Sequence, residues 1–217
     1  MSKKSRNMNK ILTLSLLLFS LSSCAQVKTE NGVVTHLIGG CEGCEAIFEY
    51  GSKELSDVDT LPDFHESGMR IKVTGKIYHS DGITPAKDVI LYVYHTDQHG
   101  IYATRGGETG WARRHGYNRG WMKTSEEGRY TFLTLKPGTY PDRREAAHIH
   151  PTILEPGGKY YWLGSYYFAN DPLLTSEQKA PATPRGGTAG VLTLRQDGDI
   201  WVGERNFILG KNVPGYE

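Results

Sequence analysis

The sequence predicts an all-β domain, a β-sandwich with long loops, on three observations. Between Met69 and Leu209, short strand-like runs are separated by Gly and Pro turns. No segment after residue 24 carries a helical period of useful length. The chain is also rich in a good strand residue, with 13 Tyr against 6 Phe and 4 Trp. With 26 Gly and 38% apolar residues among 217, it is too Gly-rich for a coiled coil and too apolar for disorder, which suits one globular domain. Tyrosine carries a phenol that can bond, titrate or hold a metal, so an excess of it asks for more than burial.

Residues 1–23 stand apart. Lys3, Lys4, Arg6 and Lys10 precede an apolar run from Ile11 to Leu21 that is too short to span a bilayer comfortably. Leu21-Ser22-Ser23-Cys24 follows at once, and the whole resembles a bacterial lipoprotein signal, cut before Cys24 and lipidated there. Its removal takes four positive charges with it, leaving 194 residues with a net charge of −3 instead of the +1 of the full chain. The expected location is the cell envelope, with the membrane reached through the N-terminal lipid alone. A mildly acidic chain with no basic run is a poor partner for nucleic acid, because neutralising phosphates needs clustered Lys and Arg.

Residues 24–66 read as a tether and an irregular segment packed on the domain, and residues 67–217 as the sandwich. In an oxidising compartment Cys41 and Cys44, in Cys41-Glu42-Gly43-Cys44, are expected to form a local disulfide. A zinc site would need a second Cys pair, and haem attachment would need a His after Cys44; neither is present. The strand-like runs are 70–78, 89–94, 129–135, 147–154, 160–168, 190–195 and 199–208, with turns at Ser80-Asp81-Gly82 and Lys136-Pro137-Gly138.

Chemistry gathers in three places. In Ala147-His148-Ile149-His150 the two histidines lie two apart on a strand, so their Cα atoms are about 6.5 to 7 Å apart on one face and both imidazoles can reach one ion. Pro137-Gly138-Thr139-Tyr140-Pro141 is a turn that presents a phenol just upstream. Tyr94 to Tyr102 is a strand end and loop crowded with candidate ligands. His95 and His99 read as loop or supporting residues, because their spacing of four suits a helix and this segment is not one. His115, among Arg113, Arg114 and Arg119, reads as part of a solvated loop. Trp111, Tyr117 and Trp121 suit either the roof of a flat aromatic ligand or the packing of a long loop.

From Val73 to Leu209 these motifs, in this order, resemble the intradiol ring-cleavage dioxygenases, which include catechol and protocatechuate dioxygenases. The resemblance rests on Gly100-Ile101-Tyr102, on Arg119-Gly120 followed by Gly128-Arg129-Tyr130, on Pro137 to Pro141, on Ala147 to His150, and on Tyr167-Phe168-Ala169-Asn170-Asp171. It implies a Greek-key-like sandwich and an iron(III) ion held by Tyr102, Tyr140, His148 and His150, with a solvent hydroxide beside them. It implies O2-dependent opening of a catechol-type ring to a muconate-type diacid, with Tyr102 as a base for one diol proton and self-association left open. The family's Arg three residues before the first His falls here on Glu145, so Arg144, one residue upstream, inherits the expected catalytic role of supporting the electron-rich substrate. The alternative is a cell-surface binding module on the same sandwich, which would not need both tyrosines beside the histidine pair.

Overall fold

The computed structural model describes residues 28–30 and 33–217. The segment expected to be a lipoprotein signal, and Cys24 with it, lies outside these residues. The strands, in chain order, are β1 (Lys28–Glu30), β2 (Val33–Leu37), β3 (Val58–Thr60), β4 (Arg70–Tyr78), β5 (Ile90–Tyr94), β6 (Arg119–Lys123) and β7 (Arg129–Leu135). They continue with β8 (His148–Leu154), β9 (Lys159–Trp162), β10 (Tyr166–Phe168), β11 (Val191–Leu192), β12 (Arg195–Asp197), β13 (Ile200–Glu204) and β14 (Phe207–Ile208). Two helices of one turn each, Ala112–His115 and Ser176–Lys179, interrupt the loops.

The strands form two sheets. One runs β1-β2-β9-β8-β10-β11, with β5 on the other side of β8 and β6 beyond it. The other runs β12-β13-β4-β7-β3, with β14 also on β4. The core between them follows from period-two patterning. In β4 every second residue is buried, and Ile71, Val73 and Ile77 meet Leu91 and Val93 of β5, Phe132 of β7, and Ile149 and Ile153 of β8. Two faces of alternating apolar residues are thereby removed from water, the main stabilising term of a sandwich.

A second, smaller core lies on the outer face of the β5/β6/β8/β9 sheet. There a 3₁₀ segment, Cys44–Phe48, presses Cys44, Ala46 and Ile47 onto Tyr92, Trp121 and Tyr160. This segment belongs to the stretch read as tether and irregular chain, and that stretch holds more order than its polarity suggests. β2 pairs with β9, and β3 pairs with β7. Cys41 and Cys44 are joined by a disulfide, with their Cα atoms 5.7 Å apart.

Three predicted strands are each broken: the run 190–195 ends at Leu192, and Arg195 opens β12 in the other sheet. The run 160–168 parts at Gly164 and Ser165, and the run 199–208 parts at Arg205. One residue accounts for the breaks in 160–168 and 199–208: the buried Arg205 guanidinium donates to Gly164 O, Ser165 O and Thr188 O. Its own carbonyl accepts the Tyr130 hydroxyl at 2.6 Å and sits where a side chain on Gly75 would be. β6 is an addition, since 119–123 carries no alternation and was read only as part of a motif. Among the described residues no helix is long and apolar enough to cross a membrane.

Candidate metal centre

The site is built from one strand and two loops. On β8, His148 and His150 share the outer face of the larger sheet, with Tyr94 of β5 paired opposite His150. The loop after β5 brings Tyr102, and the loop after β7 brings Tyr140. Asp97 ties the two loops together. Its side chain accepts from His99 N and Ile101 N at 2.8 and 3.0 Å, and its carbonyl accepts from Gly100 N and from Gly138 N of the other loop at 3.1 and 2.8 Å. Thr96 adds a hydroxyl bond to Gly138 O at 2.9 Å.

The four side chains named from the sequence as ligands meet in a closed ring of contacts. Tyr102 Oη lies 2.7 Å from Tyr140 Oη and 2.9 Å from His150 Nε2, His150 Nε2 lies 3.0 Å from His148 Nε2, and His148 Nε2 lies 3.4 Å from Tyr140 Oη. Protons can be followed around it. His148 Nδ1 faces the Ala146 carbonyl at 2.7 Å, and a carbonyl only accepts, so Nδ1 carries the proton and Nε2 offers a lone pair. Tyr140 at 3.4 Å and His150 at 3.0 Å can each donate to it, and where Tyr140 does, its oxygen is left to accept from Tyr102.

Burial raises the pKa of Tyr102, and its bond to Tyr140 raises it further. Burial raises Tyr140 too, but the bond from Tyr102 opposes the shift. Burial, then the neighbouring His148, holds His150 well below the ordinary histidine value, so its imidazole is neutral. Two imidazole nitrogens only 3.0 Å apart, one with its lone pair turned inward, are what a cation relieves. Neighbouring donors about 3 Å apart also match the packing of ligands around a first-row ion with bonds of about 2 Å. Among the described residues no cluster of three or more His, Cys, Asp and Glu could hold a metal, so a cation here would be held with phenols. Two phenols and two imidazoles favour a hard, highly charged ion, whose field would reverse the upward shift of the phenols.

A stack of rings backs the site. Tyr94 lies over His150 with centroids 4.6 Å apart and planes 17° apart, and His115 covers the other face of Tyr94 at 3.7 Å and 4°. His115 is buried and bonded through Nδ1 to Tyr92 Oη at 2.9 Å, contrary to its reading as part of a solvated loop. Desolvation, helped by the Arg119 charge, pushes its pKa down to about 4. The signal for this was the Tyr92/Tyr94 alternation, which aims two rings at whatever covers the strand. Trp111 tilts against His115, while Trp121 is buried and donates its indole N–H to Ile47 O. Both pack the loop. His95 is buried elsewhere, between Thr96 O and Thr134 Oγ1, and Thr134 donates to Asp63. His99 is exposed.

Arg144 is not brought to the site. Its side chain is 84% exposed and sits 3.8 Å from Asp142. Glu145 is exposed as well. Arg144→Ala should accordingly leave the visible absorption of iron-loaded protein unchanged and any turnover within about twofold, measured by titration and steady-state kinetics, because surface changes away from packed features have small effects.

Fold and donors together define a β-sandwich with a two-tyrosine, two-histidine centre. A protein-family model described as "Dioxygenase" matches residues 47–205, and the chain belongs to this family, the intradiol ring-cleavage dioxygenases. The protocatechuate 3,4-dioxygenase beta chain of Burkholderia cepacia is 28% identical over 150 residues, which cover 62% of this chain and 62% of that one. Among solved structures, an intradiol ring-cleavage dioxygenase from Tetranychus urticae matches with a TM-score of 0.53 at 20% identity, over 77% of this chain and 91% of that one. The dioxygenase domain of a dioxygenase–carbohydrate-binding fusion from Streptomyces sp. SirexAA-E matches at 0.53 and 23%, over 74% and 94%. Catechol 1,2-dioxygenase of Acinetobacter radioresistens matches at 0.55 and 16%, over 77% and 62%. At these identities the structures speak for the fold.

Proposed function

We propose that the protein is a non-haem iron(III) intradiol dioxygenase that opens the ring of a catechol-type diol with O2 to give a muconate-type diacid. The observation that carries this reading is the closed ring of Tyr102, Tyr140, His148 and His150 donors on the outer face of the sheet. Bound among them, a ferric ion would supply the Lewis-acid and redox chemistry by which an aromatic diolate reacts with O2.

The chain's own residues divide the remaining work. The Ala146 carbonyl fixes the tautomer of His148, and the Tyr94 stack fixes the plane of His150, so neither imidazole has to reorganise. A diol arriving with two hydroxyls needs two proton acceptors. Sequence resemblance suggests Tyr102 for one of them, but the depth of the two phenols favours Tyr140. Tyr140 is the less enclosed of the two and the freer to leave with a proton, whereas Tyr102 is held between Tyr140 and His150. We assign Tyr140 Oη the proton and Tyr102 the role of a lasting anionic ligand.

We also place the chain in the cell envelope, lipid-anchored through Cys24; the signal-like residues 1–23 support this, and a Cys41–Cys44 disulfide suits an oxidising compartment. Iron loading tests the function. Phenolate bound to iron(III) absorbs visible light, so the loaded protein should be red to burgundy. In an oxygen electrode with a panel of catechols, one O2 should be consumed per diacid formed. Colourless protein that binds iron elsewhere would overturn the site, and coloured protein inert to every diol would overturn the reaction.

A further inference from the structure

A cleft of about 340 Å³ opens beside the donor ring, with His150 and its stacking partner Tyr94 in one wall. The facing walls come from β9, through Trp162 and Leu163, and from the disulfide loop Gly40–Cys44. That loop is fastened at every point of its short course. The Trp162 indole N–H donates to Gly40 O at 3.1 Å, Glu42 pairs with Arg114, and the Cys44 sulfur is buried 3.8 Å from Thr152 Oγ1. Gly43, at a φ of 88°, lies so close to His115 that a Cβ there would be 2.7 Å from its Nε2. The disulfide then closes the loop on itself.

We propose that this cleft seats the aromatic ring of the substrate, that the disulfide loop is its specificity wall, and that it selects diols with uncharged ring substituents. The proposal rests on the dioxygenase reading above and adds to it the part of the chain that chooses the substrate. The width of a slot for a flat ring depends on how firmly its walls are held. Here the specificity wall is a loop of five residues held at one end by the buried Cys44 and at the other by the Trp162 bond, and the covalent bridge fixes the course between them. The selection against charge follows from the lining. Glu42 is the one charged side chain in it, and Arg114 already neutralises that carboxylate. Arg185 lies over the Trp162 ring, 3.6 Å from its centroid, and does not line the cleft. A carboxylate on the substrate would enter the cleft without a partner, and an unpaired charge taken from water is heavily penalised.

The test compares wild type, the double variant Cys41→Ser/Cys44→Ser, and Trp162→Phe, which keeps a ring in the wall but removes the bond to Gly40. Iron-loaded proteins are titrated with catechol and with 3,4-dihydroxybenzoate by calorimetry without O2, then assayed with O2. Both variants should bind catechol about five- to twentyfold more weakly, with KM raised in step, kcat within about twofold, and the visible band unchanged. Wild type should favour catechol over the carboxylated diol at least about tenfold, and the double variant should narrow that preference. Unchanged catechol affinity in both variants, or a wild-type preference for the carboxylated diol, would overturn the proposal. Should the double variant misfold, Trp162→Phe alone decides the loop's part. Binding that follows this pattern without any ring opening would sink the dioxygenase reading and leave the cleft assignment standing.

Discussion

Tyr102→Phe should cost the protein its iron, whereas Tyr140→Phe should keep iron and lose turnover. Tyr102 Oη touches both Tyr140 Oη and His150 Nε2, at 2.7 and 2.9 Å, and is the more enclosed phenol. Removing it leaves a neutral imidazole and one phenol to hold a trivalent ion on that side. The loss of an anionic ligand's charge stabilisation, several kcal/mol, corresponds to about a hundredfold or more in rate, on top of weakened binding. Tyr140 is the less enclosed phenol, the one placed to leave with a proton. A positioned general base contributes about 10² to 10⁴ in rate, so Tyr140→Phe should drop kcat by that factor while iron remains bound.

Metal content by atomic absorption, the visible band and kcat separate the two roles. In Tyr140→Phe the band should persist at shifted wavelength, because Tyr102 still supplies a phenolate. The opposite pattern, iron kept by Tyr102→Phe and lost by Tyr140→Phe, would return the base to Tyr102. Loss of iron in both would mean that four donors are the minimum and that neither phenol is free to leave.

The meeting of the four donors was legible in the sequence because each sits at a short, local motif: two histidines in strand register, and two phenols just after turn glycines. β4 and β7 were legible end to end, since one face of each is buried and alternation marks it. β6 was not, because its middle residues Gly120, Trp121 and Met122 are buried consecutively between the main core and the Cys44–Phe48 segment, which erases alternation. Arg205 was also beyond reach. It cuts two strands by bonds to residues 41 and 17 positions away. His115 was misread for the same reason: its charged neighbours suggest water, while its burial depends on Tyr94 and on a glycine some 70 residues earlier. Arg144 shows the converse failure, in which nearness in sequence to a motif suggested a role. Arg143 takes a left-handed φ of 53° after the Tyr140-Pro141 turn, and the next side chain ends in solvent.

The meeting of two loops from different strands is what makes the centre, and Gly100→Ala should break it. Gly100 has a φ of 79°, and a Cβ added there would lie 1.9 Å from Thr139 O and 3.0 Å from the Cα of Tyr140 itself. Both obstacles are backbone, so no rotamer change relieves them. From the other loop Gly138 makes the reciprocal approach, since its Cβ would lie 2.3 Å from Gln98 O. A non-Gly residue at left-handed φ costs about 1–2 kcal/mol, and forced overlap in a packed region about 1–3 more. Together, about 2–5 kcal/mol should lower Tm by about 5 to 20 °C in a domain of this size. The local consequence is larger, because the only relief is to part the loops, and parting them separates Tyr102 from Tyr140. Iron-loaded Gly100→Ala should therefore lose most of its visible band even at temperatures where circular dichroism shows it folded. Gly106→Ala is the control: the same hand of φ, at 88°, with nothing within 4 Å of its Cβ. It should pay the backbone cost alone and keep its colour. Equal losses in both would show that left-handed strain in the Tyr102 loop, and not the contact with the Tyr140 loop, sustains the centre.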